Sequence, residues 1–148
     1  MDSQFGFITA EKVMRNMSLI QDYLSRSQKR LKAVQTLYNE ESWADVVRES
    51  QEILELTLKA LLRASAIEAP RIHDVSSVLE DHKERLPKAV QQKLTEIVQL
   101  SRSLRRDREL AFYGSEDLTP SEFYEKADAD LAFDGVTWVV ELVVKEVK

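Results

Sequence analysis

"WADVVRESQEILELTLKALL", Trp43 to Leu62, is the stretch whose reading decides the fold. Its apolar residues Trp43, Val46, Val47, Ile53, Leu54, Leu58, Leu61 and Leu62 return at helical steps of three and four. The strip they form is too wide for one neighbour, so this helix is expected at the centre of an assembly of helices. Ser42, followed three residues later by Asp45, has the capping-box spacing and predicts the start. The fading of the pattern in "ASAIEAP", up to Pro70, predicts the end.

The flanks read as partners for that helix. Upstream, Val13, Met17, Ile20, Leu24, Leu31, Val34 and Tyr38 follow alternating steps of four and three, with Ser27 in one slot. This predicts a long amphipathic helix from Ile8 to Tyr38, capped by Thr9 and stopped by "YNEES", whose short loop implies an antiparallel return. Downstream, Asp74 beside His73 is placed to cap a short helix carrying Val75, Val78, Leu79 and His82. Leu86-Pro87 breaks it and opens a fourth helix with Val90, Leu94, Ile97, Val98, Leu104 and Ala111 on its core face, closed by Gly114 as a left-handed cap. Thr119-Pro120-Ser121-Glu122 repeats the capping-box spacing and predicts a final helix with Phe123, Ala127, Leu131, Val136, Val139, Leu142 and Val143. Gly135 within it allows a close helix contact or marks a kink. The β-branched run "VTWVVELVVKEV" has strand propensity, but a lone strand would have no partner. The expected fold is therefore all-α: an up-and-down antiparallel bundle of four long helices plus one short helix, in a single domain over 1–148.

Composition narrows the function. The 148 residues are 43% hydrophobic and 32% charged with three Gly and three Pro, as a helical globular chain requires. Without Cys there is no disulfide, thiolate zinc site or iron–sulfur cluster. "MDSQFGFITAEK" has no secretory pattern and no run approaches a membrane span, so the expectation is a soluble cytoplasmic protein away from membranes. A net charge of −5 excludes a surface that grips nucleic acid throughout, and leaves only a local basic patch for that work.

No Gly-x-Ser-x-Gly elbow supports a serine nucleophile. His73 and His82 do not share a helix face at ligand spacing, so no metal is expected. Gly6, Gly114 and Gly135 are isolated, which removes the glycine-rich phosphate loops and, with them, any expected cofactor. What remains is "SLRRDRELAFYGSE", Ser103 to Glu116, which with Arg102 concentrates Arg102, Arg105, Arg106 and Arg108 before Phe112 and Tyr113. One account is electrostatic: cations near a helix C-terminus are favoured by the macrodipole. The other is functional. Arg105, Arg108 and Phe112 fall at i, i+3 and i+7, so two guanidinium forks and a ring share a face that suits phosphate and a stacked base.

The order of these features resembles the HEPN domain family. Trp43-Ala44, Glu55, Leu58-Lys59-Ala60-Leu61-Leu62 and His73-Asp74 match its central helix and following loop, and "RRDRELAFYGSEDLTPSEFYEKADADLAFDGVTWVVELV" is similar to the end of bacterial and archaeal members. The resemblance spans about Gln28 to Val144. It implies a helical bundle that commonly forms homodimers, in proteins that act as RNases of toxin–antitoxin and defence systems or as noncatalytic companions of minimal nucleotidyltransferases. Catalytic members carry an Arg followed, after four to six residues, by a His. Here the corresponding places hold Leu110, Ala111, Phe112, Tyr113 and Gly114, and no His follows His82. Phe112 cannot exchange a proton, and an ordinary tyrosine, with a pKa of about 10, is a poor base at neutral pH. The expectation is a noncatalytic, dimeric HEPN-type protein. It would bind nucleotide or RNA phosphate through Arg102, Arg105, Arg106, Arg108, Phe112 and Tyr113, or dock a nucleotidyltransferase. The alternatives are a divergent metal-independent RNase using Tyr113 with Arg105 or Arg108, and a purely structural bundle.

Overall fold

A computed structural model describes residues 9–69 and 75–147, apart from the side chains of 107–110. In chain order the helices are α1 (Ala10–Asn39), α2 (Trp43–Ala64), α3 (Val75–Asp81), a 3-10 turn (Lys83–Arg85), α4 (Lys88–Gln92), α5 (Leu94–Tyr113), α6 (Pro120–Phe123) and α7 (Lys126–Val147). No strand occurs among the described residues. The "VTWVVELVVKEV" run is helical because its alternate helical turns, Val136, Val139, Val140 and Val143, all reach the core.

The helix singled out by its wide apolar strip is the centre. α2 packs against α1, α5 and α7, and Ile53, Leu58, Leu61 and Leu62 are fully enclosed. Each such side chain contributes about 1.5–3 kcal/mol by leaving water. Ser27 takes its slot on α1 for a packing reason: it meets Thr57 of α2, both fully buried. Ser27 Oγ donates to the Tyr23 carbonyl at 2.8 Å, while the Thr57 hydroxyl lies 3.0 Å from Ser27 Oγ and 2.8 Å from the Ile53 carbonyl. Two small hydroxyl residues thus let the helices approach without orphaning a polar group.

The start signals are realised unevenly. Thr9 Oγ1 accepts from Lys12 N at 3.1 Å as an N-cap, and Thr119 with Glu122 forms a complete capping box with Pro120 in the first turn. Ser42 occupies the N-cap of α2 but makes no side-chain bond to its backbone; its hydroxyl donates instead to Asp45 Oδ2 at 2.6 Å. Pro87 is the N-cap of α4 and not a residue of its first turn. The proposed cap Asp74 and its neighbour His73 lie outside the described residues. His82 lies beyond the end of α3, as the N-cap of the 3-10 turn that follows.

Three expected helices change extent or register. The fourth is interrupted at Lys93 into α4 and α5, with Val90 and Leu94 buried on either side. The last is broken at Tyr124, whose backbone is extended and whose ring is buried. α7 then restarts with Asp128 Oδ2 accepting from Glu125 N at 2.8 Å. The break moves the core line to Ala129, Ala132, Val136, Val139 and Val143, leaving Phe123, Ala127 and Leu131 exposed. In α1, Val13 and Met17 are 44% and 60% exposed. Arg63, next to the last residue of α2, donates to Asn16 Oδ1 at 2.8 Å, so α2 ends at about the level of residue 16 and only its last turn approaches this part of α1. Gly135 serves a close contact: a Cβ there would lie 2.9 Å from Leu100 Cδ1, and α7 continues through it.

Candidate functional site

The C-terminal half of α5, its exit, and the side of α2 that faces them form one surface. α5 ends at Gly114, φ +82°, where a Cβ would meet the Leu118 carbonyl oxygen at 2.6 Å and Pro120 Cδ at 2.8 Å. Ser115 N donates to that same carbonyl at 3.0 Å, closing a tight turn. The Thr119 hydroxyl, and after it the Thr119 backbone N–H, hold the Glu122 carboxyl below the usual carboxylate range. The turn and capping box together close α5 immediately after Phe112 and Tyr113.

The four arginines do not act alike. Arg102 turns toward α3, donating to Ser76 Oγ at 3.1 Å and Glu80 Oε1 at 2.7 Å, and so ties α3 to α5. Arg105 lines a small cavity with Gln51 and Glu55 of α2. Arg106 is exposed, and the Arg108 side chain lies outside the described residues, so the expected pairing of Arg105, Arg108 and Phe112 is placed only for its first and last members. The electrostatic account of the cluster weakens. The last turn of α5 contains no cation, Arg106 stands about two turns and Arg108 about one and a half turns before Tyr113, and a macrodipole acts mainly within the terminal turn.

α2 supplies what sequence reasoning missed. The Arg48 guanidinium carbon lies 4.1 Å from the centroid of the Phe112 ring, and Tyr113 meets Phe112 edge-on at 4.6 Å. Phe112 and Tyr113 are 48% and 75% exposed, so the stack stands at the surface. One turn on, Gln51 Nε2 donates to Glu55 Oε2 at 3.3 Å, and Lys59 pairs with Glu55 Oε1 at 3.2 Å. Arg48, Gln51 and Glu55 recur at helical spacing on the polar side of the Trp43–Leu62 stretch, a signal that becomes specific only once α5 is set against it. No cluster of His and carboxylates suited to a metal exists among the described residues. No helix among them is long and apolar enough to cross a membrane.

The HEPN domain family model matches residues 20–147, which include α2, the arginines and all of α5 to α7. The chain belongs to the HEPN domain family. A crystal structure of an archaeal HEPN homologue shares the fold, with a TM-score of 0.60 at 21% identity over 87% of this chain and 98% of that one. No curated protein matches the chain. Within this HEPN fold, the places where a His would follow Arg105 or Arg106 include Ala111, which is buried, and the exposed pair Phe112 and Tyr113.

Proposed function

We propose that this HEPN domain binds the phosphates of a nucleotide or RNA without cleaving them, in the cytoplasm and as a homodimer built from 1–148 as one domain. The observation that carries the reading is the Arg48–Phe112–Tyr113 stack at the exit of the arginine-bearing helix. Exposed rings offer π-faces to unstacked bases, and guanidinium groups match phosphate oxygens bidentately. The absence of any His after His82 removes the usual proton-transfer partner at this place.

The test is fluorescence anisotropy with labelled single-stranded RNA and with mononucleotides, alongside a denaturing gel of the same RNA after incubation. The expected result is salt-sensitive binding with the RNA intact. Cleavage that disappears in Arg105→Ala or Arg108→Ala would overturn the noncatalytic half, and absence of binding to every probe would overturn the other.

A second reading, docking of a nucleotidyltransferase-type partner, is favoured by the exposed apolar side chains Leu118 and Phe123 near the same exit. Co-purification with a nucleotidyltransferase encoded beside this chain, lost in Phe123→Ser, would support it.

A further inference from the structure

A cavity of about 20 Å³ lies between three helices, lined by Gln51, Leu54 and Glu55 of α2, Val75 of α3, and Ser101 and Arg105 of α5. Gln51 is 6% exposed. Its amide orientation follows from chemistry: the Glu55 carboxylate only accepts, so the NH2 end faces it, as the 3.3 Å contact requires. That leaves Gln51 Oε1 buried with no hydrogen-bond partner among the described residues.

A buried carbonyl without a donor costs about 1–3 kcal/mol, and protein interiors commonly answer such groups with ordered water. A cavity needs about 10–15 Å³ of this kind of space for one water. The volume here suits one such molecule and is far too small for a phosphate or a base. Its lining carries polar residues from both helices, Gln51 and Glu55 of α2 and Ser101 and Arg105 of α5. A purely apolar void of this size would stay dry.

We propose that this cavity is a binding site for a single ordered water, which donates to Gln51 Oε1 and joins it to Ser101 or Arg105 across the α2–α5 boundary. This holds whether or not the protein binds phosphate.

A high-resolution crystal structure of the full chain, with water–protein NOE measurements in solution, tests it. The expected result is one water peak within hydrogen-bond distance of Gln51 Oε1 and of Ser101 Oγ or Arg105, with NOEs from that water to the Gln51 side-chain amide. The peak is expected to vanish in Gln51→Leu and to persist with lower occupancy in Ser101→Ala, which keeps the amide acceptor and serves if the first variant does not fold. A dry cavity in the wild type would overturn the proposal. So would an Arg105 guanidinium bonded directly to Gln51 Oε1, or a water peak unchanged in Gln51→Leu.

Discussion

The guanidinium of Arg48, near the start of α2, stacks 4.1 Å from the centre of the Phe112 ring near the end of α5. An exposed cation–π pair is worth about 0.5–1 kcal/mol. Arg48→Ala and Phe112→Leu should each lower stability modestly, and a double-mutant cycle by urea denaturation should return a coupling of about that size. A coupling of zero would show that the stack does not persist in solution.

Arg102 and its neighbours should separate cleanly. Arg102 bonds to the buried Ser76 hydroxyl and, through half-exposed groups, to Glu80, so Arg102→Ala is expected to cost about 1–2 kcal/mol and leave RNA affinity nearly unchanged. Arg105→Ala and Arg106→Ala should instead flatten the plot of log affinity against log salt, by about 0.7 per phosphate contact removed from a single strand. Equal slopes in all three variants would refute the division of roles.

The two structured glycines should respond differently to the same change. Gly114→Ala forces a side chain into a left-handed backbone and within 2.6 Å of the Leu118 carbonyl oxygen, so a loss above about 1 kcal/mol is expected. Gly135→Ala meets only the tip of the Leu100 side chain at 2.9 Å and gains helix propensity of about 1 kcal/mol, which offsets the crowding. Thermal melts of the two variants should differ by several degrees, with Gly114→Ala the less stable.

Asp130 gives a pH signature. The Tyr38 hydroxyl at 2.5 Å and then Lys126 at 3.1 Å hold its carboxyl below the ordinary value of 3.8, while Tyr38 and then Asp130 hold Lys126 above 10.5. A lowered carboxyl stabilises the fold above its unfolded value, and that contribution is lost as pH falls through the folded one; the raised lysine contributes below 10.5 and loses its share as pH rises through its folded value. Carbon-13 titration of the Asp130 carboxyl should therefore show a higher midpoint in Tyr38→Phe. The stability lost on acidification should shrink in Asp130→Asn.

The fold was legible because the interactions that decide it are local. The apolar strip from Trp43 to Leu62 repeats at the helical period, and a strip that wide has one way to leave water, which is to sit among several helices. Thr9, Gly114 and the Thr119–Glu122 box were equally readable, since caps act within a single turn of chain. The arginine-bearing segment of this chain, and the absence of a His after it, are likewise sequence facts. The break at Tyr124 was not readable: no Pro or Gly marks it, and the extended backbone there places the tyrosine ring in the core, a gain that exists only once the other helices are assembled. The same holds for the surface at the end of α5. Sequence placed Arg105, Arg106, Phe112 and Tyr113 on one helix, but only the packing of α2 against α5 brought Arg48 over Phe112, set Gln51 beside Arg105 and turned Arg102 away to α3. Periodicity fixes which face of a helix is buried; which residue of another helix lies opposite depends on crossing and register, and these are settled by side-chain packing far apart in the chain.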